Sequence, residues 1–509
     1  MTEGTVNFNL TSAVYDHALS SPQRIALVVQ GYAYSYRQLA GIAQLIAARL
    51  VGATRVGILA ARTLEAYAGV LGTLWRGATY VPISPKLPCE RLTQLLGYAS
   101  LDAVVTDATG LQRLELVEKC KPALVLGPDG LCEGEFDPKI APALVGDNDL
   151  AYVMFTSGTT GQSKGVMIEA GGVVQLIEVM QRQFTFRADD RVSGAFDLTF
   201  DPSVFNMFST WRVGAALFVV PEAQVLGPGR FIKDNQLTVW NSVPSVALCM
   251  QRMGMLTSNA FPRLRYSLFG GEALPVRLAK AWQAAAPNSS VENIYGPTEA
   301  TIQCTSQRLM DPVNTTAYRN ILAIGRPFEG VEAEVLDANL NPVSQHEQGE
   351  LALSGRQLAR GYLNDPEMTA ERFPVLRGKR WYRTGDLVYR DQSGAFHHLG
   401  RIDNQVKVLG HRVELEEVEA HLRAIAGTDL VVAIAWPIVS GCASGIVAFL
   451  CGSRVSAQAA REAMRQRVPN YMVPQQLLEI AHLPLGANGK FDRRALHRQL
   501  ERATTEAGQ

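Results

Sequence analysis

Up to about Gly400, short apolar and β-branched runs alternate with stretches of helical period. Ala103–Thr106, Ala151–Phe155, Ala216–Val220 and Glu332–Leu336 predict strands, and Thr63–Trp75 and Ala170–Gln183 predict helices. Within Thr63–Trp75, residues Leu64, Tyr67, Val70, Leu71 and Leu74 recur at helical spacing, which predicts one apolar face laid on a sheet. The alternation is the rhythm of an α/β protein. Past Gly400 the pattern changes. GRIDNQVKVLG leads into VELEEVEAHLRAIAG, a stretch of helical period with Glu416, Glu417 and Glu419 expected outward, and VVAIAW and GIVAFLC read as two strands of a small sheet. Single cores stop growing near ~250–300 residues, so the 509-residue chain is expected to divide into a large part, 1–402, and a small one, 403–509.

Charge and cysteine usage narrow the class. The 48 basic and 48 acidic side chains cancel, so no net field draws the chain to nucleic acid or to an anionic membrane, and any phosphate binding must be local. No apolar stretch reaches the ~18 residues of a membrane helix, and the start MTEGTVNFNL has no basic region followed by an apolar run. Cys89, Cys120, Cys132, Cys249, Cys304, Cys442 and Cys451 are scattered and never form a C-x-x-C pair, which argues against a disulfide framework or a zinc site. A soluble protein of the reducing cytoplasm is expected.

The segment most suggestive of chemistry is Leu150–Val166, LAYVMFTSGTTGQSKGV. An apolar run leads into Thr156, Ser157, Gly158, Thr159 and Thr160, followed by Gly161, Lys164 and Gly165. Glycines let backbone N–H groups come close to an anion, and hydroxyls and one cation complete a cradle for a polyphosphate. The spacing is not that of the P-loop, because no Gly-Lys-Ser/Thr follows a glycine at the required interval. Taken alone, the same cluster also reads as a polar surface turn.

TSGTTGQSKG resembles the signature loop of the acyl-adenylate-forming superfamily, which includes the adenylation domains of nonribosomal peptide synthetases, acyl- and aryl-CoA synthetases and luciferases. Further motifs of that superfamily follow in its order: YSYRQL (Tyr34–Leu39), RGATYVPISP (Arg76–Pro85), FDPSVF (Phe200–Phe205), NIYGPTEATI (Asn293–Ile302), GELALSGRQLARGYLNDP (Gly349–Pro366), YRTGDL (Tyr382–Leu387), GRIDNQVKVLGHRVELEEVE (Gly400–Glu419) and LPLGANGKFDR (Leu483–Arg493). The resemblance implies an α/β fold: a large N-terminal domain of α/β subdomains with mixed sheets, and a small, mobile α+β C-terminal domain that carries a catalytic lysine and turns about Asp403.

The resemblance also assigns roles. Attack of a carboxylate on the α-phosphorus of ATP brings two anions together, so positive charge must stand where negative charge develops; Lys490 is the implied bridge. Glu299 is the implied Mg²⁺ ligand, since that ion takes one or two protein carboxylates and fills its shell with phosphate oxygens and water. Thr298 is implied at the α-phosphate, and Thr156, Ser157, Gly158, Thr159, Thr160 and Lys164 at the polyphosphate. Tyr295 and Gly296, with the Gly270–Gly271–Glu272 turn, are implied at adenine, Asp386 at the ribose, and Arg401 at the ribose or a phosphate.

Asp201 aligns with the aspartate that meets the α-amino group in amino-acid-activating members, which makes the implied substrate an α-amino acid. The carried-over pocket is Pro202, Phe205, Ser245, Leu268, Gly270, Ile294, Ile302 and Gln303. Its walls are mostly apolar and offer no partner to a charged side chain, which is costly to bury alone. An uncharged substrate of small to medium size follows. A small aliphatic amino acid, proline and a neutral polar or non-standard one stay open, in either configuration.

Three positions depart from the family pattern: Ile83-Ser84-Pro85 where Leu-Asp-Pro is common, Leu409 where arginine is usual, and Glu416 where glycine is usual. With no condensation segment before the motifs and no carrier-like segment after them, delivery to the phosphopantetheine thiol of a separate carrier protein is expected. Two rivals remain: an acyl- or aryl-CoA synthetase, and a non-catalytic nucleotide-binding scaffold. Lys490, Glu299 and Asp386 together speak against the scaffold.

Overall fold

Strands with apolar residues on both faces are read as buried between layers of helix, and Thr79–Ile83 and Ala103–Thr106 are buried at every position. They are the central and the last-but-one strands of a seven-stranded sheet in the order Gly361–Tyr362, Lys164–Glu169, Leu150–Thr156, Thr79–Ile83, Arg55–Leu59, Ala103–Thr106, Leu124–Leu126. The computed structural model describes residues 8–119, 124–127, 129, 134–158, 163–316, 319–439, 442–484 and 491–506. Contacts divide the chain into two compact units, one of Met1–Pro85, Leu95–Phe155 and Gly165–Ile402, the other of Lys86–Gln94, Thr156–Lys164 and Asp403–Gln509.

A second, nine-stranded sheet of the first unit runs Arg326–Pro327, Thr305–Arg308, Ser290–Tyr295, Tyr266–Gly270, Val239–Ser242, Arg191–Gly194, Ala216–Val219, Ile25–Val29, Tyr32–Ser35. Val239–Ser242, Tyr266–Gly270 and Ser290–Tyr295 are parallel neighbours, so their carboxyl ends open on one edge of the sheet. A four-stranded antiparallel sheet, Val331–Leu336, Gly349–Gly355, Tyr382–Arg390 and Phe396–Arg401, completes the unit's larger sheets. This is the mixed-sheet α/β class that the sequence predicts. Ala103–Thr106 forms at its predicted bounds, and the strands at Leu150–Thr156, Ala216–Val219 and Val331–Leu336 differ from prediction only at their ends.

The helix Leu64–Trp75 corrects one expectation. It does not show a single buried face, because every residue except Glu65 is buried. On one side Gly69 meets Val105 and Ile58 of the sheet; on the other, a Cβ at Gly72 would stand 2.6 Å from Ile46 and 2.9 Å from the Ala43 carbonyl. The missing side chain lets helix Tyr36–Arg49 close over it. That second helix starts in the YSYRQL motif with a reciprocal cap: Ser35 Oγ accepts from Gln38 N at 3.3 Å and Gln38 Oε1 accepts from Ser35 N at 2.9 Å.

In the second unit, the helix Leu415–Ala426 ends at Gly427 in the left-handed conformation. Val431–Ala435 and Ile446–Leu450 pair antiparallel, and Gln476–Glu479 joins Ile446–Leu450 in parallel. The hairpin Gln405–Val408/His411–Glu414 turns through Leu409 and Gly410, both at positive φ. Here the expectation of an outward acidic face fails. Glu417 and Glu419 are buried, whereas Glu416 is half-exposed. Acidic residues on a helix are normally read as solvated, but these are paired: buried Arg91 stands 2.8 Å from Glu417, and Glu419 accepts from Arg493, Arg423 and the Ala433 N–H. Burial raises the Glu417 carboxyl pKa while Arg91 opposes the rise.

Candidate active site

Ligands of open α/β sheets gather beyond the carboxyl ends of parallel strands, and the candidate residues of the first unit cluster there. Gly270 ends its strand beside Ile294, its partner in register, and Leu268 lies within the same strand, fully buried. Past Gly271 at φ +82°, the Glu272 carboxylate accepts from Ser245 N at 2.8 Å. It thereby satisfies an N–H at the head of helix Pro244–Arg252, where negative charge is favoured. Asp201 precedes Pro202, the first residue of helix Pro202–Arg212, and Phe205 is buried one turn on. Asn241 donates to Asn206 at 2.8 Å and ties that helix to the sheet. Burial, and then the nearby charge of Asp201, raise the pKa of Tyr80, Tyr152 and the Cys304 thiol.

After strand Ser290–Tyr295 the chain makes a short 3-10 turn, Thr298–Ala300, in which Glu299 is fully buried and accepts from the Tyr362 hydroxyl at 2.9 Å. Thr301 and Ile302 follow at φ +55° and +72°. Gly296 has to be glycine for this return: a Cβ there would stand 2.4 Å from the Ile302 carbonyl oxygen and 2.6 Å from Gln303 Cα. Ile302 and Gln303 are thereby buried beside the strand that carries Ile294.

Tyr295 leads to a dense polar cluster. Its hydroxyl donates to Asp386 Oδ2 at 2.5 Å, while His398 Nε2 and Arg401 Nη1 each lie 3.1 Å from Asp386 Oδ1. Asp386 and Arg401 are register partners on antiparallel strands. Thr384 fixes both: its Oγ1 accepts from Asp386 N at 3.0 Å and its carbonyl accepts from Arg401 at 2.8 Å. Burial by itself would raise the Asp386 pKa, but Arg401 and the hydrogen bonds from His398 and Tyr295 hold it well below the ordinary carboxylate range. Burial and the adjacent Asp386 push the Tyr295 hydroxyl far above its usual value. An ionised Asp386 only accepts, so His398 Nε2 carries the proton.

In the second unit, Ser157 Oγ donates to the Arg412 carbonyl at 2.8 Å and Lys164 Nζ stands 3.9 Å from Glu414. Thr156 and Gly158 flank Ser157, and Asp403 Oδ1 accepts from Gln405 N at 3.2 Å. Thr159, Thr160 and Lys490 lie outside the described residues.

Residues 14–363 match the family of AMP-binding enzymes. The chain belongs to that family. Among curated relatives, tyrocidine synthase 3 of Brevibacillus parabrevis is 34% identical over 98% of this chain and 8% of its own length. Syringomycin synthase SyrB1 of Pseudomonas syringae pv. syringae is 33% identical over 94% of this chain and 80% of its own length. The chain thus spans a small fraction of the first relative and most of the second. Among solved structures, the Vibrio cholerae adenylation domain AlmE in complex with glycyl-adenosine-5'-phosphate aligns with a TM-score of 0.90 and 33% identity, over 98% of this chain and 99% of that one. This AMP-binding enzyme is an amino acid adenylating ligase of the adenylation-domain type found in nonribosomal peptide synthetases.

Three side chains at the candidate site of the AMP-binding enzyme were not singled out from sequence. His398 sits in HHLGR with nothing local to separate it from any other histidine. Tyr362 and Gln357 lie within the quoted GELALSGRQLARGYLNDP motif, and their use depends on contacts with residues some sixty positions earlier in the chain. Among the described residues no helix is long and apolar enough to cross a membrane, and Cys89, Cys249, Cys304 and Cys451 are not disulfide-bonded.

Proposed function

We propose that the chain uses ATP and magnesium to convert an uncharged amino acid of small to medium size into its aminoacyl-AMP, and then passes the aminoacyl group to the phosphopantetheine thiol of a carrier protein. The observation that carries this reading is one carboxylate, Asp201, at the head of a buried helix, combined with the buried apolar side chains Phe205, Leu268, Ile294 and Ile302. The first suits an ammonium group and the second an uncharged side chain. Similarity to a domain holding glycyl-adenosine-5'-phosphate supports the small end of the size range.

In this reading Tyr295 lays its ring against adenine beside Gly270, Gly271 and Glu272, and Asp386, kept ionised by Arg401, accepts from the ribose hydroxyls. Ser245, Pro202 and Gln303 complete the amino-acid pocket. Thr156–Thr160 and Lys164 serve the polyphosphate, and Thr298 the α-phosphate. A substrate carboxylate oxygen bonds to the α-phosphorus while the bond to the bridging oxygen breaks and pyrophosphate leaves with the electron pair; Lys490 supplies charge at that point. In the second step the carrier thiolate attacks the acyl carbon and AMP departs. Residues 1–402 form the core domain and 403–509 the lid, with Asp403 as the hinge. Glu299 fits magnesium: it is a hard carboxylate, buried, with one oxygen held by Tyr362, as suits an ion that takes one or two protein carboxylates and otherwise phosphate oxygens and water. Bound there, magnesium would offset phosphate charge.

Amino-acid-dependent exchange of labelled pyrophosphate into ATP, run across D and L amino acids and simple carboxylic acids, tests the reading. Exchange with one or a few neutral amino acids, abolished by Lys490→Ala while ATP still binds, is the expected result. Exchange confined to acids without an amine would replace it with the CoA-synthetase reading. Loading of a phosphopantetheinylated carrier, compared with free coenzyme A, tests the second step.

A further inference from the structure

The Thr301–Gln303 turn is held in a conformation that its own residues disfavour. Gln303 N donates to the Thr301 carbonyl at 2.8 Å, which closes a γ-turn centred on Ile302 at φ +72°. Positive-φ γ-turns are rare and strained, and a β-branched residue at positive φ persists only where its surroundings over-determine it. The surroundings here converge on Gln357, a side chain 2% exposed. Its amide Nε2 donates to the Gln303 carbonyl at 2.9 Å and reaches the Thr301 carbonyl at 3.4 Å, while its own backbone carbonyl accepts from Thr301 Oγ1. Two residues on, Ala359 N donates to the Glu299 carbonyl at 2.8 Å. From the other side, Cys304 N donates to the Tyr295 carbonyl at 2.8 Å and closes the turn back onto the strand.

We propose that Gln357 is a positioning residue for the amino-acid end of the site: its carboxamide holds two convergent carbonyls and so fixes where Ile302 and Gln303 stand, and thereby which substrate side chain fits. The inference rests on the reading that Ile302 and Gln303 line the amino-acid pocket. The chemistry is specific to a carboxamide of this length. A carboxylate in the same place would set negative charge against two carbonyl oxygens, and an alkyl chain would leave both buried carbonyls without this donor.

The test compares wild type, Gln357→Glu and Thr301→Val in the full-length protein. Thr301→Val keeps the shape of its side chain and removes one hydrogen bond, so it remains informative if Gln357→Glu fails to fold. Hydrogen–deuterium exchange of peptides covering 298–305, with no substrate present, reads the turn itself. Both variants should lose protection there and keep it in the strands of the first unit. Pyrophosphate exchange with the amino acid that wild type prefers reads the consequence: KM for the amino acid should rise about tenfold in Gln357→Glu, and less in Thr301→Val, with KM for ATP nearly unchanged and the preference among amino acids broadened. Unchanged protection in both variants overturns the clamp. Lost protection with KM for amino acid and ATP rising equally overturns its role in specificity. If wild type activates no amino acid, the proposed function fails, and the protection measurement still decides whether Gln357 holds the turn.

Discussion

The two ends of the candidate site are built on opposite principles. At the Asp386 end, order comes from charge: a buried carboxylate with Arg401, His398 and Tyr295 around it and Thr384 behind. At the Ile302 end, order comes from backbone: a strained turn held by a carboxamide and packed against a glycine, with Ile302 buried. In the proposed reading Asp386 meets a ribose, which is the same whichever amino acid is activated, so a rigid, compensated acceptor suits it. A substrate side chain differs from enzyme to enzyme, and a surface set by shape can be altered without changing the charge of the site.

If this contrast holds, substitutions at the two ends should separate in kinetics. The largest effect is expected from Asp386→Ala, which removes the acceptor and leaves half-buried Arg401 without it: kcat/KM for ATP should fall about 100-fold, with KM for the amino acid little changed. Equal loss toward both substrates would erase the distinction between the ends. Asp201→Ala should do the reverse, raising KM for the amino acid about 30-fold and leaving KM for ATP almost untouched, as expected when one partner of a buried charge pair is truncated. Tyr362→Phe lies between the ends, since its hydroxyl meets Glu299. Losing a single hydrogen bond of about 1 kcal/mol should cost roughly fivefold and appear as a raised magnesium requirement; an unchanged magnesium titration would place Tyr362 outside the phosphate chemistry.

The smallest effect concerns acid stability. The Asp386 pKa is lowered in the folded state, so its contribution is complete above the unfolded carboxylate value of about 3.9 and is lost as the pH falls through the lower, folded value. Arg401→Met removes the charge that opposes burial, and the acid-unfolding midpoint should move up by about half a pH unit. A midpoint that stays in place would mean that His398 and Tyr295 suffice.

Local pattern made much of this architecture legible. Ala103–Thr106 could be placed by its run of apolar and β-branched residues and Leu64–Trp75 by apolar residues recurring at helical spacing, and the order of motifs pointed to Tyr295, Glu299 and Asp386 before any contact was known. What stayed hidden depended on partners distant in sequence. Glu417 and Glu419 looked solvated because nothing within their own helix announces Arg91 or Arg493. His398 gave no local signal, and Gln357 looked like an ordinary motif residue until the turn it holds was in view.

In the proposed amino-acid pocket, the positive φ at Ile302 also sets the alphabet available to anyone redesigning this enzyme's substrate range. A library built at position 302 by side-chain size alone would confound two variables, because glycine or asparagine relaxes the backbone while valine or threonine leaves it strained. Changes of volume at Leu268 or Ile294, which lie on regular strands, carry no such backbone term. Altered selectivity arising there can be credited to the shape of the proposed pocket itself.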